Sequence, residues 1–279
     1  MGSGVRTDMS DLSPTALLTC HGKQVALEGP LAQAGYAVFT VNDFDTDSLG
    51  TFTGEIAREG TMLEAARHKA QLACELSGAR FGVGSEGSFG GDPWFGITGW
   101  GREVLVWYDA EKGLEISAFV QGAETNYANK CVTNLEEALS FAAAIGFPQH
   151  GIVVGQPDQA VYDKSCSDLQ AFHVCVNKAL EHGPVDLLTD MRAHRNPKRM
   201  QMIARCAQDL ATRLATHCPQ CKAPGFGAHA PVLGALCEEC HMPTRQARAV
   251  VFKCVACGFE SENHLRSEVK AQYCDYCNP

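Results

Sequence analysis

With 279 residues, 45% of them hydrophobic, the chain has the size of one large domain, or of a medium domain joined to a small one. Its formal charge of −9 and pI of about 5.6 disfavour non-specific attachment to nucleic acid or to a membrane surface. No window approaches the ~18 uninterrupted apolar residues of a membrane span, and the polar start lacks the basic and apolar regions of a signal peptide.

In chain order, residues 1–13 read as a disordered leader. A short apolar strand at 15–19 follows, then His21-Gly22-Lys23 and a helix, then a second strand at 36–41. The stretch 61–77 has helical periodicity, with Met62, Ala66, Ala70, Ala73 and Leu76 on one face. A third strand at 80–85 is expected to end in a Glu86-Gly87-Ser88 turn. A hairpin at 103–108 and 114–120 turns about Glu111-Lys112-Gly113. Residues 135–145 form a helix closed by Gly146, strands follow at 152–154 and 185–188, and a helix lies between them at 168–180. Asn196-Pro197 then opens a long helix striped by Met200, Ile203, Ala207, Leu210 and Leu214. This alternation predicts an α/β domain over 14–215.

The tail, 216–279, is dominated by four CxxC pairs: Cys218/Cys221, Cys237/Cys240, Cys254/Cys257 and Cys274/Cys277. Successive pairs within each set are fifteen or sixteen residues apart, a zinc-site spacing. A CxxC turn points two thiolates at one ion, and a second such turn completes a tetrahedron. Two structural zinc ions are therefore expected in a double zinc-ribbon domain. Sequential pairing is the simpler arrangement; an interleaved one, Cys218 and Cys221 with Cys254 and Cys257, stays open. Thiolates held this way suit a reducing, cytoplasmic compartment. The remaining cysteines, Cys20, Cys74, Cys131, Cys166, Cys175 and Cys206, read as small core hydrophobes. Basic and acidic residues balance in the tail, so counterion release on nucleic acid has no footprint there, and a structural or protein-docking role is favoured.

Polar groups collect where strands of the larger domain end, the usual place for α/β sites. Thr19, His21, Gly22 and Lys23 precede a helix N-terminus, which favours an anion. Glu64 lies opposite the apolar stripe of its helix, whereas Lys69 points into it and could reach a buried anion. Glu86 suits a magnesium ligand or a general base. Asp190, Arg192, His194 and Arg195 follow a strand, and Lys198 and Arg199 sit in the first turns of the last helix, where cations want an anionic partner.

Taken in order, these segments resemble the inosine/xanthosine triphosphate pyrophosphatases. Thr19-Cys20-His21-Gly22-Lys23 is similar to a shortened form of their phosphate turn. Thr61-Met62-Leu63-Glu64-Ala65-Ala66-Arg67-His68-Lys69-Ala70 resembles their first long helix, and Val83-Gly84-Ser85-Glu86-Gly87-Ser88 their acidic strand end. Ala193-His194-Arg195 resembles their base-reading element. The sequence departs at Ala65 and Ala193, where that family has asparagine and serine. It also carries about forty extra residues before His194, and the zinc ribbons. The whole chain, including Thr51-Phe52-Thr53-Gly54-Glu55 and Thr189-Asp190-Met191-Arg192-Ala193-His194, further resembles an uncharacterised bacterial family ending in paired zinc ribbons.

The first resemblance implies a mixed sheet flanked by helices and a magnesium-dependent hydrolase of non-standard nucleoside triphosphates. Glu64 and Glu86 would hold magnesium, and Lys69, the third catalytic residue, would neutralise phosphate charge together with Lys23 and Arg199. Phe147 would stack on the base while His194 and Arg195 bond its edge. Thr19, His21, Ser88, Asp190 and Arg192 would complete the substrate contacts. The alternative is a non-catalytic nucleotide sensor or adaptor whose ribbons dock a protein partner. The sequence leaves room for a homodimer.

Overall fold

The computed structural model describes residues 12–42, 44, 46, 60–157, 159 and 162–278. The chain divides into two compact units, Met1–Ala211 and Thr212–Pro279. Most of the expected leader and the whole of segment 51–55 lie outside the described residues. Among those residues no helix is long and apolar enough to cross a membrane.

The first unit is mixed α/β, but it holds two sheets rather than the one expected. In the first, β1 (Ser13–Leu18) pairs in parallel with both β2 (Tyr36–Val41) and β3 (Phe81–Gly91). Strands β4 (Gly99–Asp109) and β5 (Leu114–Gly122) extend it antiparallel, giving the order β2-β1-β3-β4-β5. Ser13 is already in β1, so the strand starts inside the stretch assigned to the leader. From Thr15 to Leu18 it is buried on both sides, as a central strand covered on both faces must be.

Helix α1 (Gln24–Gln33) links β1 to β2, and α2 (Met62–Ser77) precedes β3. The start of α2 is fixed by a capping box: Thr61 Oγ1 accepts from Glu64 N, and Glu64 Oε2 accepts from Thr61 N. Gly78, in the left-handed conformation, ends it. Because β2 and β3 lie on opposite sides of β1, the strand order reverses there. The crevice between the C-terminal ends of β1 and β3 is thus a topological switch point.

The Glu86-Gly87-Ser88 turn does not exist. β3 runs on to Gly91, with Glu86, Gly87 and Ser88 facing Val104, Glu103 and Arg102 of β4. β1 pairs with β3 only as far as Val83. Past that point the β4 ladder keeps the strand extended, and its other edge borders the crevice.

The second sheet has the order β6-β9-β7-β8, built from β6 (Asn129–Val132), β7 (Ile152–Gly155), β8 (Tyr162–Asp163) and β9 (Val185–Thr189). It packs with α3 (Leu135–Ile145) and α4 (Leu169–Leu180) around Phe141, Phe147, Ile152, Phe172, Val176 and Leu187. The forty extra residues are therefore not a decoration: they supply most of this second core. A 3₁₀ turn at Ala193–Arg195 leads into α5 (Pro197–Ala215). Of the cysteines expected in the core, Cys74, Cys166 and Cys206 are buried and Cys175 is half-buried, whereas Cys20 and Cys131 are exposed.

The second unit has an antiparallel sheet of β10 (Phe226–Leu233), β12 (Ala247–Cys254) and β13 (Glu260–His264). A short parallel pair joins β11 (Leu236–Cys237) to β14 (Glu268–Val269).

The small residues of α2 let it lie directly on β3. A side chain at Gly84 would place its Cβ 1.8 Å from Ala66 O, and one at Gly82 would lie 2.1 Å from Ala70 O. Both obstacles are backbone, so they cannot swing aside. Gly84→Ala is expected to destabilise the first unit by about 3 kcal/mol, measured by urea denaturation, while Gly29→Ala, which meets nothing within 4 Å, should not.

Candidate functional site

At the switch point, five ionisable side chains converge from β3, β4, the middle of α2 and the starts of α1 and α5. Lys23, at the N-cap position of α1, donates from Nζ to Ser85 O (3.3 Å) and Ser85 Oγ (3.1 Å). Lys69 of α2 is buried and donates to Glu86 Oε2 at 2.7 Å. Arg199, in the first turn of α5, donates from Nε to Glu103 Oε1 at 2.6 Å, and also to Met191 O. Its guanidinium stacks 5.1 Å over the ring of Phe89. Gly87 makes this possible, because a Cβ there would fall 2.5 Å from Glu103 Oε1 and 2.6 Å from Arg199 Nη2.

The electrostatics follow from burial. Desolvation, then repulsion from Arg199, lowers Lys23 from 10.5 to about 8. Burial alone would raise Glu86, but the ammonium groups of Lys69 and Lys23 outweigh it and hold its carboxyl below the usual range. Glu103 is buried, and its Oε2 has no partner among the described residues. Three cations thus face two carboxylates, and among the described residues the oxygens Lys23 bonds belong to Ser85. The cluster can take up an anion at lower cost than a neutral pocket could.

Around it, Thr19 is buried and accepts from His21 N at 3.2 Å. The rings of His21 and His194 lie 5.2 Å apart. Burial, then the nearby His21 and Arg192, lowers the pKa of His194. Asp190 is buried and bonded by Arg192 through Nε and through Nη2 at 2.7 Å. Arg195 turns away to Cys166 O. Asn196 caps α5, accepting from Arg199 N at 3.0 Å, and so aims that arginine. An open groove of about 440 Å³, lined by Val25, His194, Met200 and Gln201 among others, adjoins the histidine pair.

Two residues named from the sequence are placed elsewhere. Glu64 is exposed and its Oε2 is bound by both Thr61 N (2.7 Å) and Thr61 Oγ1 (2.9 Å). Phe147 is buried in the second core, 5.4 Å from Phe172. Ser88 lies in β3 opposite Arg102. Glu103, Ser85 and Phe89 were not singled out. The signal for Glu103 was its alternation with Leu105 and Trp107, which puts a carboxylate on a buried strand face.

The second unit gathers its thiols in two sets that could each hold a metal ion: Cys218, Cys221, Cys254 and Cys257, and Cys237, Cys240, Cys274 and Cys277. The sequential pairing is therefore corrected to the interleaved one. Antiparallel pairing of β10 with β12 sets Phe226 against Cys254, carrying the third knuckle to the first. Parallel pairing of β11 with β14 sets Cys237 beside Val269 and delivers the fourth to the second. All four knuckles share one bond: the N–H of Lys222, His241, Gly258 or Asn278 reaches the carbonyl of the first cysteine four residues back, at 2.9–3.0 Å. Lys222, His241 and Gly258 take a positive φ at that position. Backbone N–H groups of Cys277 and Tyr276 draw the Cys274 thiol down to about 7. Four thiolates at tetrahedral reach are the chemistry of a closed structural zinc site.

Two outcomes are expected. Below pH 8 the folded and unfolded chains both keep the Lys23 proton, and the burial penalty is fully present. Between about 8 and 10.5 only the unfolded chain keeps it, so stability rises with pH. Subtracting the unfolding free energies of Lys23→Met from those of wild type should isolate that rise. Separately, a chain ending at Thr244 should retain neither thiol cluster, leaving all four remaining CxxC-pair cysteines open to rapid alkylation. Sequential pairing would protect them.

No curated protein and no solved structure matches the chain. A family model does, over residues 69–279, which takes in Lys69, Glu86, Glu103 and Arg199 of the charged cluster but not Lys23, together with the second sheet and both thiol sets. The chain belongs to the family described as a domain of unknown function, DUF6671.

Proposed function

We propose that the first unit binds a nucleotide through its phosphates at the switch-point crevice and hydrolyses it as a pyrophosphohydrolase of non-standard nucleoside triphosphates. The observation that carries this reading is the buried excess of positive charge, Lys23, Lys69 and Arg199 against Glu86 and Glu103, beside a helix N-terminus. A phosphate chain is the ligand that such a set accommodates best. The order of motifs shared with the inosine/xanthosine triphosphate pyrophosphatases supports the choice of substrate.

In this scheme Lys23 and Lys69 bind phosphate oxygens, and Arg199 stays with Glu103 as the fixed wall of the site. His194 and the adjoining apolar groove receive the base. Magnesium takes oxygen ligands. Glu86 is the carboxylate that fits it, because Glu64 is committed to its capping box and Glu103 Oε1 to Arg199. When bound, the ion would polarise the phosphate under attack. Lys69 would then leave Glu86 for the ligand.

The second reading, a sensor that binds without turnover, is favoured by that same Lys69–Glu86 pair, which leaves the site charge-paired at rest. Pyrophosphate release from a panel of standard and deaminated nucleoside triphosphates with magnesium separates the two. Wild type should turn over, and Glu86→Gln should lose about 100-fold or more. Binding seen by calorimetry with no release from any nucleotide would leave the sensor.

A further inference from the structure

A third group of potential metal ligands lies outside both sites. Asp163, Cys166 and Cys175 bring one carboxylate oxygen and two sulfurs within 4.8 Å of one another. Asp163 is on β8, Cys166 just precedes α4, and Cys175 is on that helix. Asp163 Oδ2 lies 3.3 Å from Cys175 Sγ. Sulfur pairs in the four-cysteine sets are 3.6–3.9 Å apart. A shorter oxygen–sulfur distance is what one ion would require, since zinc–oxygen bonds are shorter than zinc–sulfur bonds. Asp163-Lys164-Ser165-Cys166 also repeats the two-residue gap of the CxxC knuckles.

The surroundings orient these groups as the outer partners of a metal site do. Ser165 donates from N (2.8 Å) and Oγ (2.6 Å) to Asp163 Oδ1, which turns Oδ2 toward Cys175. Arg195 Nη2 holds Cys166 O at 3.0 Å, and Arg192 Nη2 holds Lys164 O at 3.2 Å. Packing in the second core accounts for the burial of Cys166 beside Phe172 and Val176. It does not account for the Asp163 carboxylate lying against Cys175.

We propose that Asp163, Cys166 and Cys175 form a third metal site, for zinc, with water at the fourth position. On binding, both thiols release their protons to solvent, and two thiolates and a carboxylate meet the divalent ion. Arg192 and Arg195 are anchored on the same short segment. The ion would therefore act as a positioning element for the loop carrying them and His194, not as a catalyst.

The test is metal content of the full-length chain prepared with zinc and passed through a desalting column. Three zinc ions per chain are expected in wild type, and two in Asp163→Asn and in Cys175→Ser. Asp163 is exposed, so its isosteric amide keeps the fold and carries the test even if the cysteine variant fails to fold. Two ions in wild type, or three retained in Asp163→Asn, would overturn the proposal. So would a Cys166–Cys175 disulfide found by mapping thiols in freshly purified protein. None of these outcomes depends on nucleotide hydrolysis.

Discussion

The Glu103–Arg199 pair joins the middle of a β-hairpin to the first turn of the last helix of the α/β unit, and both partners are buried. In water such a pair contributes little; inside, removing one partner strands a charge and costs about 3–5 kcal/mol. Three other features are arranged around it. Gly87 has no side chain where the pair passes, Asn196 caps the helix so that Arg199 points inward, and Met191 O closes the guanidinium's other side. The pair therefore fixes where β3, β4 and α5 meet, and that meeting place is the floor beneath Lys23. The low pKa of Lys23 is partly a consequence, since Arg199 is its largest electrostatic neighbour.

Much of the fold was legible because local signals were strong. The helices at Met62–Ser77 and Leu135–Ile145 were bounded by a capping threonine or asparagine and a left-handed glycine, which state start and stop without tertiary help. Strands Tyr36–Val41 and Val185–Thr189 announced themselves by composition. What failed was long-range. Glu86-Gly87-Ser88 looks like a turn to any local rule, yet the β4 ladder makes it strand. The division into two sheets depended on Asn129–Val132, a four-residue strand with three exposed positions and no apolar run to betray it.

The candidate site shows the same contrast. Lys69 was readable as an inward lysine from helical period alone, and it is buried against Glu86. Glu64 was assigned to metal because its helix matched a family pattern, but the same residue satisfies the capping rule three positions after Thr61, and the structure gives it that local role. Phe147 sits next to a proline after a helix end, where an exposed aromatic is plausible, and only the second core explains its burial. Thiol spacing found all eight clustered thiols of the tail but could not say which pairs come together, because pairing is decided by strand partners rather than by distance along the chain.

That pairing has a topological consequence. The first set links residues on either side of the second knuckle, and the second set links residues on either side of the third. A backbone break at Thr244–Arg245 would therefore not separate the pieces. Each fragment would still own two thiolates of both centres, and the ions would hold the nicked polypeptide together as two rivets hold overlapping plates. With both sets metal-loaded, a chain cut there would come apart only when the ions are drawn out.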